Sequence, residues 1–406
     1  MTPAEPASPT PPPRLVDLFA GPGGLDVAAT WLGIPAVGIE WDASACATRE
    51  RAGLKTIQGD VRDHEPKEFP AATILAGGPP CQTYTVAGSG AGRRALDQVL
   101  DFVARMSAGE DVAAEVAGLD DERTGLVLEP LKWALAAHRE DKPYEAVVLE
   151  QVPAVLPVWK AMSGVLEGIG YRTAVGILNA EEFGVPQTRR RAILLAHRGH
   201  TPALPRPTHR RFRQSEQSHG HSTTLPPCKT LGETLKRGEP FTVVSNYGTG
   251  GDPKARGRRS SEHPAFTVTG KISRNRIVSV EGKELPRFNL SEAGRLQTFP
   301  GDFPWAGKDV SQQIGNAIPP RLAAHVLSAV LGQDLSPEFM DESVEKRWLS
   351  PGVPNIWTDV PGPKDTCRLT ESAGTKVPGL ANAVVRFDNR PAKAHDGTTG
   401  PESFPA

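Results

Sequence analysis

Cys81 stands in an unusual place for a free thiol. The stretch "ILAGGPPCQTYTVAGSGAGRR", Ile74 to Arg94, starts as an apolar, β-branched run, passes through two glycines and two prolines, and reaches Cys81 before a loop of glycine, hydroxyls and arginine. A strand that ends this way presents its thiol at the carboxyl edge of a sheet. Prolines stiffen the approach, while Gly88, Gly90 and Gly92 free the following loop, Gln82 to Arg94, to move as a lid. The thiol becomes a nucleophile if its pKa is depressed, and Arg93, Arg94 or a helix N-terminus are the candidates for that. Taken alone, a free cysteine is more often a small buried hydrophobe, so the neighbours must decide.

Those neighbours come from other strand ends. Glu150 closes the apolar run "AVVLE", which brings a carboxylate to the same edge as a proton donor or hydrogen-bond partner. In "QTRRR", Arg189 and Arg191 alternate, and on a strand this puts both on one face. Two guanidinium forks there would hold a carbonyl or phosphate oxygen, the alternative being a solvated basic edge. Nucleophile, carboxylate and arginines together describe covalent attack on an electron-poor ring.

A second group of residues surrounds a glycine turn. In "DLFAGPGG", Gly21, Gly23 and Gly24 lie between the first strand and the first helix, where glycine permits a tight turn and the helix start offers unpaired N–H groups. Glu40 and Asp60 close the next two strands, so their carboxylates would face the same crevice and accept hydrogen bonds from ribose hydroxyls or an amino group. Trp41 would pack on an adenine ring. The alternative is that Glu40 and Asp60 cap helices and Trp41 is core. The spacing is GxGG, not GxGxxG, which favours an adenosine ligand other than a dinucleotide.

The elements that must hold these groups are legible as alternation. "RLVDLFA", "PAVGIEW", "KTIQGDV", "ATILAGGPP" and "YEAVVLEQV" read as strands; "LDVAATWLGI", "DASACATRERAG", "GLVLEPLKWALAAHRE" and "VLPVWKAMSGVLEGIG" carry helical spacing. Strands alternating with helices predict an α/β fold with a mostly parallel sheet covered on both faces. "YRTAVGILNAEEFGVPQTRRRAILLAHR" adds two strands around a loop, and helical patterns return in "LSEAGRLQTFPGDFPW" and "SQQIGNAIPPRLAAHVLSAVLG". We expect a proline-rich arm at 1–13, a main α/β body at 14–198, a smaller domain at 199–288, a return to the body at 289–335, and an irregular tail at 336–406.

Composition sets limits. Apolar residues make up 38% and charged residues 23% of the 406, which suits a large globular core. The four cysteines, Cys46, Cys81, Cys228 and Cys367, show no CxxC or Cys/His spacing, so neither a disulfide framework nor a zinc site is expected. The first residues lack the apolar core of a signal peptide and no run approaches a membrane span, which predicts a cytoplasmic protein with reduced thiols. The net charge is −1, yet from Gln187 to Arg276 18 Lys and Arg stand against 5 Asp and Glu. That concentration, in clusters such as "HRRFR" and "KARGRR", would neutralise phosphates, although a charge run alone is usually a solvated surface.

At this point the chain resembles the DNA (cytosine-5) methyltransferases, which use S-adenosylmethionine. The resemblance runs in order from about Leu15 to Leu331. "DLFAGPGG" is similar to the family's cofactor loop, which implies cofactor contacts by Phe19, Gly21, Gly23, Gly24 and Leu25. Glu40 and Trp41 match its ribose and adenine contacts, and Asp60 with Val61 its adenine-binding turn. "GGPPCQ" resembles the Pro-Cys catalytic motif, with Pro80 beside the cofactor and Cys81 as nucleophile. In "LEQV" Glu150 carries over, while Gln151 stands where the family usually has the asparagine that orders the Pro-Cys loop. Gln187, Arg189 and Arg191 match Gln-x-Arg-x-Arg. "RLQTFP" resembles the motif that braces the recognition domain, and "QIGNAIPP" the last one, which returns Asn316 and Ala317 to the cofactor pocket.

The resemblance implies a Rossmann-like methyltransferase domain with a mostly parallel, doubly wound sheet, plus a smaller irregular and β-containing target recognition domain at 199–288. Cys81 would add to carbon 6 of cytosine, Glu150 would hold ring nitrogen 3, and Arg191 with Arg189 the exocyclic oxygen. No metal is required. The target base would be flipped out of duplex DNA into the pocket. A monomer is expected, and a cognate restriction endonuclease acting on the same site is an allowed partner. A tRNA methyltransferase on the same scaffold and a non-catalytic DNA-binding relative are the alternatives.

Overall fold

The computed structural model describes residues 12–80, 90–119, 121–214, 224–248 and 256–350. Strand and helix alternate from the start: β1 Leu15–Leu18, α1 Gly24–Trp31, β2 Ala36–Glu40, α2 Ala43–Arg51, β3 Thr56–Gln58 and β4 Ile74–Gly77. Helices α3 Gly90–Ser107, α4 Ala113–Ala117, α5 Glu122–Gly125 and α6 Glu129–Arg139 lead to β5 Ala146–Gln151. Helix α7 Leu156–Gly168 then precedes β6 Arg172–Asn179 and β7 Arg190–His197.

Among the described residues these strands form a seven-stranded sheet in the order β3-β2-β1-β4-β5-β7-β6. Pairing is parallel from β3 through β5, whereas β7 runs antiparallel to both of its neighbours. The predicted mostly parallel, doubly wound sheet is therefore present. Its central strands are buried on both faces, which is why "LVDL" and "AVVLEQ" read as continuous rather than alternating apolar runs. The period of two survives in what each side chain meets. Val147 and Leu149 join Trp133 and Trp159 on one face, while Ala146 and Val148 join Leu25 and Leu327 on the other.

The chain order reverses at β1, which has β2 on one side and β4 on the other, so the crevice of the sheet opens beyond the carboxyl ends of these strands. Glu40, Gly77 and Glu150 all lie at or near such ends.

Beyond β7 come α8 Leu231–Leu235, β8 Phe241–Gly248, β9 Arg256–Ser260, β10 Arg276–Ser279 and β11 Glu284–Leu285. The four strands make an antiparallel sheet in the order β11-β10-β8-β9. Phe241, Val243 and Ile277 pack there with Phe288, Leu296 and Ile314. Helices α9 Leu290–Leu296, α10 Val310–Asn316 and α11 Pro320–Val330 follow, and α11 returns to pack on α1.

Two expectations are corrected. The tail predicted to be irregular from 336 begins with α12 Pro337–Glu345, capped by Ser336, whose hydroxyl accepts from the N–H of Phe339, with proline in the first turn. Met340 is fully buried in the core, and Asp341 pairs with Arg321 at 2.5 Å. Arg347 pairs with Asp302, and Trp348 donates to the carbonyl of Ala52. A nine-residue helix with so little apolar surface leaves a weak periodic signal. The loop expected to run to Arg94 ends earlier, because α3 starts at Gly90 and buries Val99, Phe102 and Val103. Cys81 and the rest of 81–89 lie outside the described residues.

Candidate active site

The glycine turn is built on left-handed backbone. Phe19, Gly21 and Gly23 have φ of 63°, 53° and 103°, and Gly23 is the N-cap of α1. Gly24 can be nothing larger, since a Cβ there would stand 2.2 Å from the carbonyl oxygen of Ile318. A Cβ at Gly21 would meet nothing within 4 Å, so the turn leaves open space on that side. Leu25 points its side chain into the core, leaving only its backbone near the helix start.

Glu40 fastens the turn. Its Oε2 accepts from the N–H of Gly21 at 2.7 Å and its Oε1 from the N–H of Asp42 at 2.6 Å. Burial pushes the Glu40 carboxyl up, and the two amide bonds oppose that. Glu40 is not a helix cap: Asp42 caps α2, accepting from the N–H groups of Ser44 and Ala45. Asp60 does cap, accepting from the N–H of Arg62 ahead of the 3-10 turn Val61–Asp63, and it also pairs with the Arg62 side chain at 2.6 Å. Burial alone would raise the Asp60 carboxyl, but Arg62 holds it below the usual range. Val61 is buried, whereas Trp41 is 73% exposed and so is not a core residue.

Beneath this turn is a charged cluster that the sequence reading missed. Arg49 is fully buried and makes a two-pronged pair with Asp26, both bonds 2.7 Å. Asp17 is buried beside it, with Oδ1 lacking a hydrogen-bond partner among the described residues. Burial, with Asp26 nearby, holds the Asp17 carboxyl well above the usual carboxylate range. No motif announced the pair; only the oddity of Asp17 within "LVDL" and of Arg49 on a buried helix face could have.

The second group of residues meets at the ends of β4 and β5. Glu150 is buried, and its Oε1 lies 2.5 Å from Nε of Arg191 across the β5–β7 pairing. A Cβ at Gly78 would be 3.6 Å from Glu150 Oε2, so the glycine turn after β4 runs past the carboxylate. Gln151 Nε2 donates to the carbonyl of Pro79 at 2.5 Å, and its Oε1 accepts from the N–H of Val152. Pro80 follows, and Cys81 would come next.

Arg189 is not part of this group, which corrects the expected pairing of the two arginines. It is fully buried and donates to the carbonyls of Val268, Gly315 and Ala317 at 3.0 to 3.2 Å. Strand β7 begins only at Arg190, so the alternation that would have put Arg189 beside Arg191 does not extend to it. Gln187 is equally buried: it donates to the Leu296 carbonyl and the Gln297 side chain and accepts from the N–H of Val268. Gln297 in turn donates to the carbonyls of Ile314 and Ala317. Ala317 is thus buried and held through its carbonyl, while Asn316 is exposed and accepts from Gln312.

The Glu40-fastened glycine turn and the Glu150–Arg191 pair thus lie at strand ends of one sheet. A model of the C-5 cytosine-specific DNA methylase family matches residues 14–103 and 112–332. The chain belongs to that family. It is a DNA cytosine-5 methyltransferase.

Among curated members of this methylase family, the Type II methyltransferase M.AquIA of Picosynechococcus is 30% identical over 258 residues, covering 57% of this chain and 91% of the relative. M.MthTI of Methanothermobacter thermautotrophicus is 24% identical over 352 residues, covering 78% of this chain and 96% of the relative. Among solved structures, the Dnmt2 methyltransferase of S. pombe superposes with a TM-score of 0.50 at 15% identity, over 79% of this chain and 98% of its own. A Spodoptera frugiperda DNMT2 mutant gives 0.51 at 13%, over 79% and 99%. These likenesses show the fold. The DNA methylase match disfavours the tRNA alternative. No helix among the described residues is long and apolar enough to cross a membrane.

Proposed function

We propose that this methylase transfers a methyl group from S-adenosylmethionine to carbon 5 of a cytosine within a specific duplex DNA sequence, as the modification enzyme of a restriction-modification system or as an orphan. The observation that carries the reading is the Arg191–Glu150 pair at the end of β5, next to a Pro79-Pro80 turn tied down by Gln151 and immediately followed by Cys81.

The residues around the glycine turn fit an adenosine cofactor. The open side of Gly21, the Glu40 carboxylate behind it, the exposed Trp41 ring and the Asp60 carboxylate supply the room, the acceptors and the flat apolar surface that ribose and adenine need. Phe19, Val61 and Pro80 complete the assignment, with Gly23, Gly24 and Leu25 giving the helix start and Asn316 and Ala317 closing from the last motif. When bound, S-adenosylmethionine supplies an electrophilic methyl group on a sulfonium, which an activated carbon 5 attacks.

The protein's own residues must activate that carbon. The Cys81 sulfur adds to carbon 6, pushing electron density toward carbon 5 and ring nitrogen 3. Glu150 holds nitrogen 3, and Arg191, fixed against Glu150, presents a donor to the exocyclic oxygen. Loss of the carbon 5 proton and departure of the sulfur from carbon 6 restore the aromatic ring. Arg189 acts at one remove, holding the 315–317 backbone in place. Reaching carbon 6 requires the base to leave the stack. We assign 14–198 and 289–335 to the catalytic domain and 199–288, which contains β8 to β11, to target recognition.

Duplex DNA containing 5-fluorocytosine tests the chemistry, because fluorine cannot leave as the proton does. Wild type should be captured as a covalent complex and Cys81→Ser should not; equal capture of both refutes Cys81 as the nucleophile.

A further inference from the structure

Arg259, on β9, is a half-buried cation that nothing in the mechanism uses. Its guanidinium lies over two rings, 4.2 Å from the centroid of Phe212 and 4.9 Å from that of Phe266. Its Nε and Nη1 are buried with no hydrogen-bond partner among the described residues. Both are shielded from solvent, so what the group offers a ligand is its charge. The rings hold the guanidinium where it lines a cleft.

That cleft has a volume of 540 Å³ and is lined by Arg190, Arg191, Arg211 and Arg259, with Thr188 and Thr267 among the polar groups. The carboxylate in the lining is Glu181, which burial pushes up. Four guanidiniums against one carboxylate favour an anion, and the phosphodiester is the anion that a DNA strand brings. The location narrows it further. Arg191 also touches Glu150, so this cleft opens directly beside the position assigned to the extruded base.

We propose that Arg259, clamped by Phe212 and Phe266, anchors a backbone phosphate next to the flipped cytosine, in a cleft shared with Arg190 and Arg211. This rests on the duplex DNA reading above. Arg259 thereby holds the strand without reading its sequence.

The test uses the full chain and two duplexes, one carrying the methylated site, to be located first by bisulfite sequencing of DNA from cells expressing the protein, and one of mixed sequence. Arg259→Gln should weaken binding to both by about 10- to 100-fold, the loss expected for a charge-assisted bond. The slope of log affinity against log salt should fall by about one. Replacing phosphates around the target cytosine one at a time by methylphosphonate should reveal a position that weakens wild type and costs Arg259→Gln nothing further.

Unchanged affinity and salt slope in Arg259→Gln overturn the proposal, as does a loss confined to one base pair with no coupled phosphate, which would make Arg259 a base reader. If Arg259→Gln does not fold, wild type alone decides: a methylphosphonate scan in which no position near the target matters refutes the anchor. Failure of wild type to bind or methylate any duplex overturns the DNA reading as well, and is seen before any variant is compared.

Discussion

Gln151 Nε2 donates to the carbonyl of Pro79, joining the end of β5 to the turn that follows β4. The family usually has asparagine here, and the longer side chain still reaches the proline while its oxygen accepts from the N–H of Val152. Gln151→Asn keeps the amide and should leave the methyl-transfer rate within about tenfold, or ~1.4 kcal/mol. Gln151→Leu leaves the Pro79 carbonyl without its donor, a cost of about 1 to 3 kcal/mol, and should slow transfer further. Single-turnover methylation compares them. A drop of several orders of magnitude in Gln151→Asn would show that this site is built around the extra methylene.

The two motif arginines should separate experimentally. Arg189→Met removes a buried cation from the carbonyls of Val268, Gly315 and Ala317 and should cost at least ~3 kcal/mol of stability in denaturant unfolding. Arg191→Lys keeps a charge beside Glu150 but loses the fork. It should unfold like wild type while the transfer rate falls roughly 10- to 100-fold. Similar stability losses in both variants would count against assigning them different work.

What was readable in the sequence follows from how local each signal is. The strand ends carrying Glu40, Asp60 and Glu150 stand out because a charge terminates an apolar run, and the sheet sets all three at or just beyond the ends of its strands. Arg189 was misplaced because alternation was extended one residue beyond the start of β7, where the chain turns into the Gln187–Gln297 network. That network, like the Arg49–Asp26 pair, joins residues far apart in the chain, and nothing in either local segment encodes its partner. The β content of 199–288 was implied by the family resemblance and not by periodicity, since β9, "RGRRS", has almost no apolar residues and β11 is two residues long.

Trp41 is a large ring left 73% exposed beside the Glu40-fastened turn. An exposed ring contributes little to folding, so Trp41→Ala should leave the unfolding midpoint in denaturant nearly unchanged. If it stacks on the cofactor's adenine, the same variant should weaken S-adenosylmethionine binding by roughly tenfold, as expected for the loss of an aromatic contact with its buried area. Calorimetric titration measures this directly. Unaltered cofactor affinity would remove Trp41 from the pocket.

Acid should act on the buried histidines beside Phe183 and Arg321. His325 packs against Phe183 with ring centroids 5.2 Å apart, and burial, then Arg321 and His209, pulls its pKa from 6.5 to about 3. Burial and Arg321 likewise take His209 down to about 4. A folded-state value below the unfolded one means that the unfolded chain takes up the proton first. The stability associated with neutral His325 is therefore whole above pH 6.5 and is lost as pH falls toward the folded value, at up to ~1.4 kcal/mol per pH unit. Asp17, Glu40, Glu129 and Glu181, raised by burial, act in the opposite sense over part of the same interval, so the wild-type curve alone does not isolate the histidine. The difference between wild type and His325→Gln does. Denaturant unfolding from pH 7 to pH 4 should show the variant losing less stability per pH unit by up to that amount. Parallel curves would mean that His325 is already protonated in the folded protein or equally shielded after unfolding.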